Sequence, residues 1–92
     1  MKRAHNTYKS RKLIRVMLEY DEIENTIKSV TIAGDFFIYP EEALETLETN
    51  LIGTKLERDA IKQEVDECLK NSEAYGFDSI SLTDAILGCK TE

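Results

Sequence analysis

Apolar and polar side chains alternate along the first third of the chain, which is the pattern of strands with one buried face. The alternation runs over residues 12–20 and resumes over residues 26–33, and residues 21–25 between them favour a turn. We therefore predict an antiparallel hairpin. Its inward side chains are predicted to be Ile14, Val16, Leu18, Tyr20, Val30 and Ile32. On the other face, Leu13 and Met17 are expected to be covered by a partner or by a later helix.

The hydrophobic period changes in the middle of the chain, where the alternation gives way to helical spacing. Gly34 lets the backbone turn, and residues 35–39 are predicted to form a short third strand. Pro40 suits the first position of a helix because it lacks an N–H group, and Gly53 suits the left-handed position after the helix end. A first helix is therefore predicted over residues 40–52.

Two further helices are indicated by their capping residues. Thr54 with Glu57, and Ser81 with Asp84, have the spacing of a capping box, in which a hydroxyl and a carboxylate satisfy exposed N–H groups. These elements predict an α/β fold, a two-layer sandwich in which a three-stranded antiparallel meander is followed by helices.

This organisation predicts one small domain. Its predicted parts are a mobile N-terminal arm at residues 1–7, the meander at residues 11–39 and a helical layer at residues 40–88, within a single domain of residues 1–92. The strand and helix order resembles the SufE/NifU-like fold. In NifU-type iron–sulphur scaffolds, however, the turn after the second strand carries a cysteine ligand, and this chain has Asp35 and Phe36 there.

The composition offers little for catalysis within the chain itself. His5 is the sole imidazole, and Cys68 and Cys89 are too few and too distant for a disulfide framework or a zinc set, so no metal site is predicted. No phosphate-binding glycine loop is present. The chain has neither a run of 18 apolar residues nor a secretory signal pattern, so a cytoplasmic location and no membrane contact are expected.

Charge is distributed unevenly along the chain. Residues 1–20 have six basic residues and one acidic residue, a net charge of +5, whereas the other 72 residues have six basic and 17 acidic, a net charge of −11. Such a basic arm suits nucleic acid, an anionic ligand or an acidic partner, or is simply a solvated strand edge. Nucleic acid is disfavoured because the arm has one aromatic residue and no accompanying glycine loop or basic helix.

Three aromatic residues crowd the segment between the predicted sheet and the first helix. If the segment is extended, Phe36, Phe37 and Tyr39 cannot all face one core, because successive side chains point to opposite faces. At least one ring is therefore predicted on an outer surface, where it suits a protein partner. The alternative is that one ring packs under the second helix and the others are half covered.

The same segment contains a set of short motifs that continues along the chain. The motifs are Gly34-Asp35-Phe36-Phe37, Tyr39-Pro40-Glu41-Glu42, Leu47-Glu48, the first-strand sequence of residues 12–16 and the last-helix sequence of residues 80–86. Together they resemble the C-terminal accessory domain of lipoate–protein ligases. The resemblance covers roughly residues 8–87 and departs from the family at Ser10 and Arg11, where a glycine pair is usual.

The resemblance implies a separately encoded accessory subunit that works in trans, because the chain begins at Met1 without the large catalytic domain. The implied complex is a heterodimer with a catalytic large subunit, which activates lipoate with ATP and Mg²⁺ to lipoyl-adenylate and then lipoylates acceptor-domain lysines. The accessory chain alone is expected to be non-catalytic and to bind no cofactor. The implied partner and activation residues are Lys12, Arg15, Gly34, Asp35, Phe36, Phe37, Pro40 and Glu41. A non-catalytic interaction adaptor, or a NifU-like scaffold fold without cluster chemistry, is the alternative.

Overall fold

The computed structural model describes residues 1–9 and 12–91 and contains six strands and three helices in these ranges. In chain order, the elements are β1 (Lys2–Lys9), β2 (Leu13–Asp21), β3 (Thr26–Gly34), β4 (Phe37–Tyr39), α1 (Glu42–Leu51), α2 (Arg58–Lys70), β5 (Glu73–Tyr75), α3 (Ser79–Leu87) and β6 (Lys90–Thr91).

The main sheet is antiparallel, with the strand order β3-β2-β1-β6. Helix α1 packs on β3, α3 packs on β2 and β1, and α2 packs on the other two helices. The helices therefore cover one face of the sheet, as in a two-layer α/β domain. The core between the layers includes Ile14, Val16, Leu18, Ile27, Ile32, Leu47, Leu51, Ile61, Val65, Leu82 and Ile86.

The predicted α/β meander is confirmed, and so is its inner face. Ile14, Val16, Leu18, Val30 and Ile32 are buried, while Tyr20 is half-buried. The turn between β2 and β3 is held by its aspartate, because a carboxylate oxygen of Asp21 accepts the backbone N–H groups of Ile23 at 2.8 Å and of Glu24 at 3.2 Å. These hydrogen bonds lower the pKa of the Asp21 carboxyl, and the bond from Glu24 has the largest effect.

The expected mobile arm at residues 1–7 is wrong, because these residues belong to β1. Strand β1 is held on the core side by buried Ala4 and by Asn6, whose Nδ2 donates to the carbonyl of Ala85 at 2.9 Å. Tyr8 also packs against the core. The polar Asn6 between two inward positions interrupts the apolar alternation, so this strand has no strong periodic signal in the sequence.

The third strand of the meander also differs from the prediction. The third strand of the observed meander is β1. The strand predicted at residues 35–39 is shorter, β4, and it lies outside the main sheet, paired with β5. The predicted boundary of the meander at residues 11–39 therefore shifts towards the N-terminus. The helical layer predicted over residues 40–88 is interrupted by β5.

The helix starts differ from the predictions by two to four residues. Pro40 follows a cis peptide bond and lies in a turn before α1, where its carbonyl accepts the N–H of Ala43 at 3.0 Å. The box predicted at residues 54–57 does not form, because Thr54 Oγ1 donates to the carbonyl of Asn50 instead, at 3.3 Å. Gly53 does take the predicted left-handed conformation after α1, with φ +86°.

The last helix starts earlier than predicted because a different capping box forms. Asp78, rather than Ser81, is its N-cap. A carboxylate oxygen of Asp78 accepts the Ser81 N–H at 2.8 Å, and Ser81 Oγ accepts the Asp78 N–H at 2.9 Å. An aspartate and a serine three residues apart therefore provide the same reciprocal bonds as a threonine and a glutamate.

Candidate functional site

A small two-stranded ribbon, formed by β4 and β5, projects from the end of the main sheet. Its register pairs Phe37 with Tyr75, Ile38 with Ala74, and Tyr39 with Glu73. Because alternate residues of a strand point to opposite faces, the Phe37, Tyr39 and Tyr75 side chains share one face. Ile38, on the other face, is buried in the core.

The face that carries these rings is exposed, and we call Phe37, Tyr39 and Tyr75 the aromatic face. Their exposed fractions are 54%, 62% and 57%, respectively. The ring centroids of Phe37 and Tyr75 are 6.2 Å apart, so the two rings lie side by side across the ribbon. Exposed aromatic clusters of this kind mark protein interaction surfaces more often than isolated apolar residues do. The prediction that at least one ring of residues 36–39 is on an outer surface is thus confirmed.

The Tyr75 hydroxyl is a polar group on the aromatic face. The Tyr75 hydroxyl donates to a carboxylate oxygen of Glu73 at 3.2 Å, and this bond raises the pKa of Tyr75. The phenol therefore stays neutral over the physiological range, which suits it to hydrogen bonding rather than to proton transfer.

Phe36 fixes the ribbon to the domain. Its ring lies 4.9 Å from that of buried Phe77, at 78°, which is an edge-to-face pair. Gly76, between the strand and Phe77, has φ +100°, and a Cβ there would meet the Lys12 Cγ at 2.7 Å and the Phe36 Cβ at 3.2 Å. The Lys12 side chain therefore lies across Gly76 beside Phe36, which brings the start of β2 to the root of the ribbon.

Gly34 and Asp35 form the exit from the main sheet to the ribbon. The Asp35 N–H donates to the carbonyl of Leu13 at 3.0 Å. Gly34 has φ +154°, and a Cβ there would clash with the same carbonyl oxygen. A side chain at this position is therefore excluded by the close approach of β2 and β3.

The predicted site residues are only partly brought together. Lys12, Gly34, Asp35, Phe36 and Phe37 gather at the root of the ribbon, whereas the other three lie elsewhere. Arg15 is exposed on the uncovered face of the main sheet, and Pro40 and Glu41 lie beyond the far end of β4.

Three aromatic and glycine positions of the site were missed by the sequence analysis: Tyr75, Gly76 and Phe77. The pairing of β5 with β4 joins positions that are 34 to 38 residues apart in the sequence. A three-residue strand has too little alternation to be detected. The one available signal was the Tyr-Gly-Phe sequence, an aromatic pair around a glycine.

The two cysteine thiols lie against the core, on α2 and after α3. Burial raises the pKa of the Cys89 thiol to about 11, so it stays protonated near neutral pH and is a poor nucleophile. Cys68 is half-buried, with Sγ 3.6 Å from the carbonyl of Ala43.

Within residues 1–9 and 12–91, no group of three or more His, Cys, Asp or Glu side chains is placed to hold a metal ion. Over the same residues, no helix is long and apolar enough to span a membrane.

The fold and this surface define a small two-layer α/β domain with an exposed aromatic face. The chain belongs to the family described as bacterial lipoate protein ligase C-terminus, whose model matches residues 12–86. The family pattern expected at Ser10 and Arg11 lies outside both this match and the described residues.

Two proteins of the archaeon Thermoplasma acidophilum are similar to the chain. One is lipoate-protein ligase A subunit 2, which is 46% identical over 46 residues; the match covers 50% of this chain and 47% of the relative, so it spans about half the length of that protein. The other is a chain of a solved archaeal lipoylation system, described as a bi-partite lipoate protein ligase and its E2 lipoyl domain. It superimposes with a TM-score of 0.80 at 28% identity, over 94% of this chain and 97% of that chain.

Proposed function

We propose that this chain is the accessory subunit of a split lipoate–protein ligase and works as a heterodimer with a separate catalytic large subunit. The observation that carries the proposal is the similarity to a chain of a bi-partite ligase over 94% of this chain. The large subunit binds lipoate, ATP and Mg²⁺ and forms lipoyl-adenylate, and the complex then lipoylates a lysine of an acceptor domain in the cytoplasm.

The root of the ribbon and the aromatic face form the contact with the large subunit. Three aromatic rings that are each more than half exposed provide the apolar centre that such an interface needs. The exposed carboxylates of Asp35 and Glu41 lie at the two ends of β4 and contribute to a polar rim, as Pro40 does by shape. Lys12, held across Gly76, adds a positive charge to this contact, whereas Arg15 lies on the adjoining sheet face, outside it.

This subunit acts by changing the conformation of its partner and not by supplying reacting groups. Docking favours the state of the large subunit in which a substrate loop is ordered and the site is closed to water, which is a shift in population. Activation of lipoate with ATP depends on that closure. Transfer from lipoyl-adenylate, which requires no ATP site, depends on it much less.

The test is lipoate-dependent release of pyrophosphate. The isolated chain is expected to release none, and the mixture with the large subunit is expected to release it at a rate that saturates with this chain. Transfer from chemically made lipoyl-adenylate, measured in parallel, should depend on the chain only weakly. Full-rate adenylate formation by the large subunit alone would refute the proposal, and a generic interaction adaptor would then be the better description.

A further inference from the structure

The main sheet has a second exposed surface, on the side that the helices leave uncovered. We call it the outer sheet face; its principal side chains are Arg3, Lys9, Arg15, Met17, Glu19 and Thr31. Met17 is 60% exposed and lies at the centre, between His5 on β1 and Thr31 on β3. No described helix or loop covers Met17, so the expectation that a later helix covers it is wrong and that of a partner remains.

The outer sheet face is basic on a chain whose net charge is −6. Arg3 is paired with Glu19, with Nε 3.6 Å from Oε2. Among the described residues, Lys9 and Arg15 have no ion-pair partner, and the register sets them diagonally across β1 and β2. Two like charges that have no ion-pair partner among the described residues repel each other across neighbouring strands, and an acidic partner removes that cost.

The size of the face indicates a partner that binds and leaves. With strands about 4.8 Å apart and about 3.3 Å per residue, three strands of eight or nine residues span a projected area of roughly 400 Å², which side-chain relief enlarges in accessible surface. A standard stable interface buries about 800 Å² of accessible surface on each protein, so this face by itself reaches no more than the standard size. The face therefore suits a transient complex, such as that of an enzyme with a protein substrate.

We propose that the outer sheet face docks an acidic surface of the lipoyl acceptor domain, with Met17 against an apolar side chain at its centre. The inference rests on the proposed function, in which the acceptor domain is the protein substrate. Long-range attraction by Lys9 and Arg15 speeds the encounter, and the small apolar contact keeps release fast enough for turnover.

The test uses the complex of the full chain with the large subunit and varies the acceptor domain. Lys9→Glu reverses a charge on the outer sheet face, and Met17→Ala removes its apolar centre. The control is Lys62→Glu, the same charge change in the first half of helix α2; because Lys62 is ion-paired with Asp66, its folding is checked as well. Circular dichroism checks that each variant is folded.

Lys9→Glu is expected to raise the KM for the acceptor domain by about three- to tenfold with kcat unchanged. Met17→Ala should raise this KM by a smaller factor, and Lys62→Glu should leave it unaltered. Added salt should raise the KM of the unmodified complex for the acceptor domain, because ions screen the attraction between the basic face and the acidic acceptor. The KM values of the unmodified complex and of Lys9→Glu should therefore become more similar. An unchanged KM in both face variants would overturn the inference.

Three further readouts separate this inference from the proposed function. Pyrophosphate release without acceptor should be equal in all variants, and its absence in the unmodified mixture would refute the proposed function alone. Calorimetric titration of the acceptor domain into the chain then still decides whether Lys9→Glu weakens docking. If Lys9→Glu weakens binding to the large subunit, the outer sheet face contacts the large subunit and the inference is overturned. If sedimentation shows that the unmodified chain is a dimer and that Met17→Ala is not, the face contacts a second copy of the chain, which also overturns the inference.

Discussion

Truncation of Phe37 is the sharpest probe of the aromatic face, because its ring contributes to binding without holding the domain together. Phe37 is 54% exposed and its main contact is with Tyr75, whereas Phe36 packs on buried Phe77. Phe37→Ala should therefore leave the domain folded. Phe36→Ala should instead cost stability, by about 1–3 kcal/mol for lost packing in a half-buried site.

The expected loss of affinity follows from the exposed area. A phenylalanine buries about 150–250 Å² when fully covered, so an exposed fraction of 54% leaves roughly 100 Å² for a partner to cover. At about 25 cal/mol per Å², complete burial of that area is worth roughly 2.5 kcal/mol. We expect Phe37→Ala to weaken binding of the large subunit by about 1–2.5 kcal/mol, which is about 5- to 60-fold in Kd.

The assay is calorimetric titration of the large subunit, with urea unfolding of each variant as the stability control. Ile23→Ala is the matched control, because Ile23 is 93% exposed at the turn between β2 and β3, away from the ribbon. It should bind as the unmodified chain does. If the unmodified chain binds the large subunit tightly and Phe37→Ala binds it with the same affinity, the aromatic face is not part of the interface.

Three other outcomes are expected. Lys12→Ala should lower the rate of lipoyl-adenylate formation by roughly tenfold, while the affinity for the large subunit falls much less. Lys12→Met keeps the apolar part of the side chain over Gly76, so it should show the same loss of rate if the charge is responsible. Gly76→Ala should lower the urea midpoint by more than Gly53→Ala does, because both have positive φ but only a Cβ at Gly76 meets neighbouring atoms; the strain costs about 1–3 kcal/mol, and equal midpoints would refute the contact. In Cys68→Ser, alkylation of Cys89 by iodoacetamide should be slow at pH 8 and accelerate towards its pKa of about 11, since burial disfavours the thiolate; rapid labelling at pH 8 would contradict this.

Local sequence determined the elements with strong periodicity. The alternation of Ile14, Val16 and Leu18 predicted the buried face of β2 because a strand repeats every two residues. Gly53 predicted the end of α1 because a positive φ is cheap only without a Cβ. The crowded aromatic residues at 36–39 predicted an outward ring for the same geometric reason, and the motifs around them predicted the family.

Tertiary structure decided everything that depends on pairing between distant residues. Strand β1 pairs with β2 along its whole length, and Asn6 binds Ala85 of α3, 79 residues later, which neither strand residue nor helix residue shows locally. The ribbon exists because β4 finds β5, which adds Tyr75 to the aromatic face. Lys12 joins the root of the ribbon only because Gly76 lacks a side chain there. A sequence pattern reports which side of an element is buried, but the identity of its partner depends on contacts that the folded chain alone provides.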